Sequence, residues 1–303
     1  MNVVVTGGGT IAPIDDVRHL ANLSSGRFSA TIAEACLKRG ASVWHIHAPA
    51  AQLPFARRAA FDLDAPDPEA ELARLAGLHQ EWRRVRDRLH LVPLRRGTVA
   101  DYAQSLEQVL RARSIDVAFL AMAVSDFEPA PVAGKLDSEA DALTIRALRT
   151  PKVIRSVRDW APGVYLVGFK LLSRVGAAEL VRHAEVACRV NRADLTVAND
   201  LETLRLGRHT VHLVRPGHPP ETLGPDDDVA GRLVDRVFAR AAERASARPP
   251  GLTRVPARTR IEARTISRPR AQSIASLDDL PPDRVCHQAR GGSIHRKKGP
   301  GGA

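Results

Sequence analysis

The feature that most limits the fold is an alternation of short β-branched runs with longer segments whose apolar residues recur every three or four positions. Residues 2–5 read as a buried strand, 28–39 as a helix closed by Gly40, and 42–47 as a second strand. Residues 69–88 carry Leu72, Leu75, Leu78, Trp82 and Val85 at helical spacing, and 89–94 make a third strand. Thr98 is placed to cap a helix running to about Arg113, with Asp101 three residues on as its capping-box partner. Residues 115–124 are apolar nearly throughout, as a parallel strand covered on both faces should be. Thr150-Pro151 predicts a helix start leading to Trp160. Strands follow at 164–171, 195–198 and 210–214, and a last helix at about 228–244. The pattern predicts right-handed crossovers and a doubly wound, mostly parallel, Rossmann-like α/β sheet with helices on both faces. Sheets of this kind bind ligands at the carboxyl ends of their strands.

With 303 residues, 44 % of them apolar, the chain can bury a sizeable core. Its formal charge of +11 suggests a nucleic-acid partner, but the distribution argues otherwise. Residues 245–303 hold twelve Lys+Arg against four Asp+Glu, which leaves a net of only +3 for residues 1–244. That last segment also has seven prolines, six glycines and no sustained apolar period. We therefore expect an α/β domain over 1–244 and a disordered basic tail over 245–303. Nucleic acid is expected at most at the tail, where His295-Arg296-Lys297-Lys298 forms a basic run.

Cys36, Cys188 and Cys286 are odd in number and far apart, which fits a reducing cytoplasm rather than a disulfide framework or a zinc site. No signal-peptide pattern opens the sequence, and the longest apolar run, 117–124, is too short to span a bilayer. No membrane partner is expected.

The candidate site residues fall at predicted strand ends. The first strand runs into Gly7-Gly8-Gly9-Thr10, where glycines let backbone N–H groups approach an anion closely. The same stretch matches G-x-G-x-x-A through Ala12, but Pro13, Asp15 and Asp16 read as an irregular loop where a dinucleotide-binding helix should begin. Ser24-Ser25-Gly26 precedes a helix and makes either a second anion cradle or a simple cap. Asp126 follows the strongest strand. Gly134-Lys135-Leu136 sits in a polar loop, Phe169-Lys170 ends one strand, and Asn199-Asp200 ends another. His45 and His47 share a strand face but lack further ligands nearby, so no metal site is expected there.

Taken in order, these pieces resemble the phosphopantothenate–cysteine ligase family. The matching blocks are Thr6-Gly7-Gly8-Gly9-Thr10, Asp16-Val17-Arg18, Asn22-Leu23-Ser24-Ser25-Gly26-Arg27, Ala123-Val124-Ser125-Asp126-Phe127, Gly134-Lys135-Leu136, Thr150-Pro151-Lys152, Val167-Gly168-Phe169-Lys170-Leu171 and Val197-Ala198-Asn199. The resemblance implies that a nucleoside triphosphate, ATP or CTP, activates the phosphopantothenate carboxylate with Mg2+, and that cysteine's amine attacks the acyl-nucleotide. It implies roles for Asn22 in handling that intermediate and for Lys135 in meeting the phosphates. It also implies nucleotide or substrate contacts at Asp126, Met122, Ala123, Pro151, Lys152, Val153, Ile154, Phe169 and Asn199, and phosphate-binding loops at Gly7, Gly8, Gly9 and Thr10 and at Ser24, Ser25 and Gly26.

The chain also departs from the family. Members that use CTP carry two lysines where this chain has Ala187 and Asn191, while Lys135-Leu136-Asp137-Ser138 resembles the eukaryotic-type branch that uses ATP. Met122 stands where the family prefers alanine. A free-standing ligase without FMN is implied, acting as a homodimer in which residues 128–148 help build the partner's site. Two other readings stay open: an NAD(P)-dependent oxidoreductase, and a relative that binds nucleotide or nucleic acid without catalysis.

Overall fold

In the computed structural model, which describes residues 1–139 and 141–247, β1 (Asn2–Gly7) is buried from Val3 onward. It leads into a small hairpin of β2 (Ile11–Pro13) and β3 (His19–Ala21), then α1 (Arg27–Lys38) and β4 (Ser42–His47). Next come α2 (Pro68–Val85), β5 (Leu89–Pro93), α3 (Val99–Ala112) and β6 (Val117–Leu120). A ribbon of β7 (Phe127–Pro129) and β8 (Ala147–Arg149) precedes α4 (Val157–Trp160), β9 (Tyr165–Leu172), α5 (Ala177–Val190) and β10 (Leu195–Asp200). The described chain ends with α6 (Leu201–Arg205), β11 (Val211–Val214), β12 (Glu221–Leu223) and α7 (Val229–Ser246).

Eight strands form one sheet in the order β12-β11-β10-β9-β6-β1-β4-β5, parallel from β5 through β10 and antiparallel at β11 and β12. Strand alternation splits the core in two. Val3, Val5, Val117, Phe119, Val167 and Val197 face α1, α2 and α7. Val4, Ala118, Leu120 and Leu166 face α3 and α4, and Ala198 and Val214 extend that face under α5. The expected doubly wound α/β sheet is therefore observed. Nearly all of the tail expected over 245–303 lies outside the described residues, as does its basic run.

Four local expectations change. Residues 11–21 form the β2–β3 hairpin rather than an irregular loop, because Asp15 accepts the N–H groups of Val17 and Arg18 and turns the chain back. The strand expected over 115–124 stops at Leu120, where the backbone leaves the sheet to bond the glycine loop after β1. The helix after Thr150-Pro151 shrinks to a 3-10 turn (Val153–Ser156) and the four-residue α4, since the Thr150 hydroxyl donates to the Ser125 carbonyl instead of capping. Thr98 does cap α3, but Asp101 accepts from Arg96 and Gly97 rather than closing a capping box. The three-residue strand β12 was too short to show in the pattern.

One buried carboxylate positions the segment that closes against the start of α1. Glu34 accepts the Phe55 N–H at 2.6 Å and pairs with Arg57 and Arg58 at 3.2 and 3.1 Å, with only 6 % of its side chain exposed. The same segment donates from Gln52 to the Ser25 carbonyl at 2.8 Å. Removing a buried ionic partner costs about 3–5 kcal/mol because the remaining charges stay desolvated. Glu34→Ala should therefore lower the unfolding free energy by about 3 kcal/mol in urea titration, and a change below about 1 kcal/mol would disprove the clamp.

Candidate functional site

The strand order reverses between β1 and β6, and a crevice opens there at the carboxyl ends of the strands. The two strand ends are tied by backbone. Ala123 donates to the Gly8 carbonyl at 2.9 Å, Thr10 donates to the Ala123 carbonyl at 3.0 Å, and Ser125 donates to the Thr10 hydroxyl at 2.9 Å. Side chains at the glycines would prevent this approach. Gly8 has φ 89°, and a Cβ there would lie 2.7 Å from that of Ala48. A Cβ on Gly9 would overlap the Asn22 carbonyl oxygen.

The cleft above these strand ends has a volume of about 1420 Å³. Of the residues expected at the site, Asn22, Ser24, Ser25, Gly26, Met122, Ala123, Asp126, Pro151, Lys152, Val153, Ile154, Phe169 and Asn199 all line it. Gly7, Gly8, Gly9 and Thr10 do not. Gly7, Gly8 and Thr10 are buried, with the Thr10 N–H already taken by the Ala123 carbonyl, while Gly9 is half-buried and abuts Asn22. This loop shapes the floor of the cleft. Lys135 also stands outside the wall of its own chain, on an exposed loop held to the hairpin by Asp15 and Asp16 through the N–H groups of Leu136 and Gly134.

Anion-binding capacity concentrates at the start of α1. Gly26 occupies the cap position in a left-handed conformation with no side-chain cap bond, and the Ser25 hydroxyl accepts only the Arg27 N–H, at 3.3 Å. Ser25 is therefore not a full cap. Among the described residues the N–H groups of Phe28 and Ser29 have no acceptor, and both residues line the cleft. Free N–H donors at the positive end of a twelve-residue helix, with Arg27 beside them, suit a phosphoryl group.

An aromatic corner adjoins these donors. Phe28 stands edge-on to Phe169 at 6.1 Å and to His209 at 4.4 Å, and all three line the cleft. Burial, helped by nearby Arg27, lowers the His209 pKa and favours a neutral ring. Sequence reasoning did not single out Phe28 or His209, because nothing in the local pattern ties them to strand ends.

Of the rim cations, Lys152 is paired with Asp126, while Lys170 has no ionic partner among the described residues. Ala187 and Asn191 reach the cleft wall, but the arginines near them do not substitute for lysines. Arg189 pairs with Glu185, and Arg192 with Asp159.

Beneath the cradle, His45 is fully buried against Ser29, with Nε2 3.4 Å from its hydroxyl, which in turn donates to the Gly26 carbonyl at 2.7 Å. His47 stacks beside it at 5.8 Å. Among the described residues no three His, Cys, Asp or Glu side chains gather into a metal site.

A crevice at the topological switch point of a doubly wound sheet is where α/β domains of this kind bind ligands. The family model of the DNA/pantothenate metabolism flavoprotein C-terminal domain matches residues 1–61 and 93–240, more than half of the chain. A rice phosphopantothenate–cysteine ligase is 30 % identical over 270 residues, covering 80 % of this chain and 80 % of the relative. A bifunctional coenzyme A biosynthesis protein from Thermococcus kodakarensis is 30 % identical over 212 residues, and the match spans 70 % of this chain but only 44 % of that longer protein. Among solved structures, a DNA/pantothenate metabolism flavoprotein from Streptococcus pneumoniae superposes with a TM-score of 0.63 at 25 % identity, over 79 % of this chain and 99 % of that one. The chain belongs to the DNA/pantothenate metabolism flavoprotein C-terminal domain family.

Two predictions follow from the geometry. Gly9→Ala must displace Asn22, so nucleoside triphosphate binding measured by calorimetry should weaken at least tenfold while far-UV circular dichroism stays unchanged. Unaltered affinity would refute the buttress. Burial first, and the charge of His47 second, pull the His45 pKa down to about 3. The folded protein thus holds His45 neutral, whereas the unfolded chain takes up a proton below about pH 6.5. Its contribution is complete above that pH and falls by about 2 kcal/mol by pH 5, by linkage. His45→Gln should flatten the stability profile between pH 7 and 5, and an unchanged slope would show that His45 does not titrate this way.

Proposed function

We propose that this chain joins 4′-phosphopantothenate to L-cysteine by an amide bond, through an acyl-nucleotide intermediate, in coenzyme A biosynthesis. The observation that carries the reading is one cleft in which helix N–H donors, Asn22 and an aromatic corner meet within a family containing such ligases. A carboxylate is a poor electrophile until one oxygen becomes part of a phosphate leaving group, and its approach to a triphosphate opposes like charges. Preorganised donors that do not have to reorient are the means of lowering that cost.

The free N–H groups at the start of α1, with Arg27, bind phosphoryl oxygens. Phe28, Phe169 and His209 give one wall of the cleft an apolar face for the nucleotide base or the pantetheine arm. Asn22, whose backbone carbonyl lies against Gly9, orients the acyl-nucleotide. The available donors fit Mg2+ that arrives on the triphosphate and keeps its waters, with Asp126 as an exposed carboxylate at the rim. When bound, Mg2+ supplies charge neutralisation across the phosphates.

For the base we favour ATP. The positions at which members using CTP carry lysines reach the cleft wall as Ala187 and Asn191, and the neighbouring arginines are engaged elsewhere.

We further propose a homodimer in which Lys135 serves the partner's cleft. The β2–β3 hairpin and the β7–β8 ribbon pack together and expose Leu20, Phe127, Val132 and Leu148 to solvent. A cytoplasmic setting fits the free, buried thiols of Cys36 and Cys188. No helix among the described residues is long and apolar enough to cross a membrane.

The deciding assay supplies phosphopantothenate, cysteine, Mg2+ and either ATP or CTP, and follows pyrophosphate release. ATP should be turned over at least tenfold faster than CTP. Lys135→Ala should reduce turnover at least a hundredfold, and Asn22→Asp should release pyrophosphate without matching amide. If both variants act like wild type, the assigned site is wrong. A strict monomer with full activity in sedimentation would refute the dimer.

A further inference from the structure

At the far end of the sheet from the cleft, a second hollow of about 480 Å³ lies between the start of β9, the turn after β11 and the last turns of α7. Tyr165 faces it at the beginning of β9, while Phe169 and Lys170 reach the cleft from the same strand four and five residues on. At the strand rise this separates the two sites by about 15 Å.

Three features give this hollow the chemistry of an oxyanion site. Arg240 leans on Glu221 through one terminal nitrogen at 3.4 Å, but its other, Nη1, is buried and has no partner among the described residues. A buried guanidinium N–H without an acceptor is costly, and such groups are nearly always satisfied. Arg215 also lines the hollow and has no ion pair among the described residues. The buried Tyr165 ring brings its phenol to the same place, with no hydrogen bond seen to its oxygen among the described residues. Burial pushes that phenol up to about 12, so it stays protonated and can donate.

The nearby acids neutralise this pair only in part, through the long Arg240–Glu221 contact. Asp194 is already occupied by Arg158 at 2.7 Å, by Arg244 and by the Leu166 N–H. Glu221 is shared between Arg240 and a shorter contact from Arg236 at 2.7 Å. Glu243 is exposed on the outer rim.

We propose that this hollow is a second ligand site, which binds a phosphoryl group between the guanidinium groups of Arg215 and Arg240 and the Tyr165 hydroxyl. Two guanidinium groups and a neutral hydroxyl donor match the several acceptor oxygens of a phosphate. The hollow also exceeds the size of a lone phosphate, leaving room for a monoester's organic part. The proposal is independent of the reaction assigned to the main cleft.

The test uses the full chain, wild type and Arg215→Gln. Crystals soaked in tungstate, a phosphate mimic, should show anomalous density within 4 Å of both the Arg215 and Arg240 guanidinium groups. In solution, with the main cleft saturated by nucleoside triphosphate, calorimetric titration with inorganic phosphate, pyrophosphate or AMP should reveal one binding event that Arg215→Gln weakens at least tenfold. Nucleoside triphosphate binding at the main cleft should stay unchanged in that variant. AMP binding more tightly than phosphate would identify the ligand as a monoester, and equal binding would identify it as the free ion. Absence of tungstate density there, or phosphate, pyrophosphate and AMP isotherms that Arg215→Gln leaves unaltered, would overturn the proposal.

Discussion

Everything at the cleft depends on how closely two strand ends approach. The backbone after β1 and the backbone after β6 exchange hydrogen bonds through Gly8, Thr10 and Ala123, outside the regular ladder. Each such bond contributes about 1 kcal/mol net. Their greater effect is geometric, because they fix where Asn22 and residues 121–126 stand relative to one another. A side chain at Gly8 or Gly9 would occupy the space the approach requires. The glycines are therefore what allows the two strand ends to meet.

On that floor the charges are divided between groups already satisfied and groups held in reserve. The rim pairs Lys152 with Asp126, and α5 directs Arg189 toward Glu185. The start of α1 has no such partners, and Gly26 in its left-handed conformation leaves successive N–H groups uncovered. A helix terminus with open donors and an adjacent arginine costs stability unless something anionic arrives. Ser29 and His45 brace the turn from beneath, and burial keeps His45 neutral so that no fixed charge sits under the cradle.

Much of the fold was legible because its signals are local and repeated. Apolar runs doubly covered in a parallel sheet have few alternatives, so β1, β4, β6, β9 and β10 were identified within a few residues. Strong helix periodicity likewise located α1, α2, α3 and α7. Two of the misses share one cause. At Ala121 and at Thr150, bonds to distant backbone override the local preference. No window of a dozen residues contains the Ser125 carbonyl that claims the Thr150 hydroxyl.

The site divides the same way. The linear chain carried the residue types, in order and at strand ends: Asn22, the serines and Gly26, Asp126, the 151–154 stretch, Phe169 and Asn199. It did not carry their depth or their neighbours. Gly7, Gly8 and Thr10 are buried although their sequence reads as an open loop, while Phe28 and His209 reach the cleft without a linear signal. Alternation and composition act through covalent spacing, which the sequence states outright. Which free donor faces a hollow depends on packing between segments more than a hundred residues apart, and only the folded chain decides that.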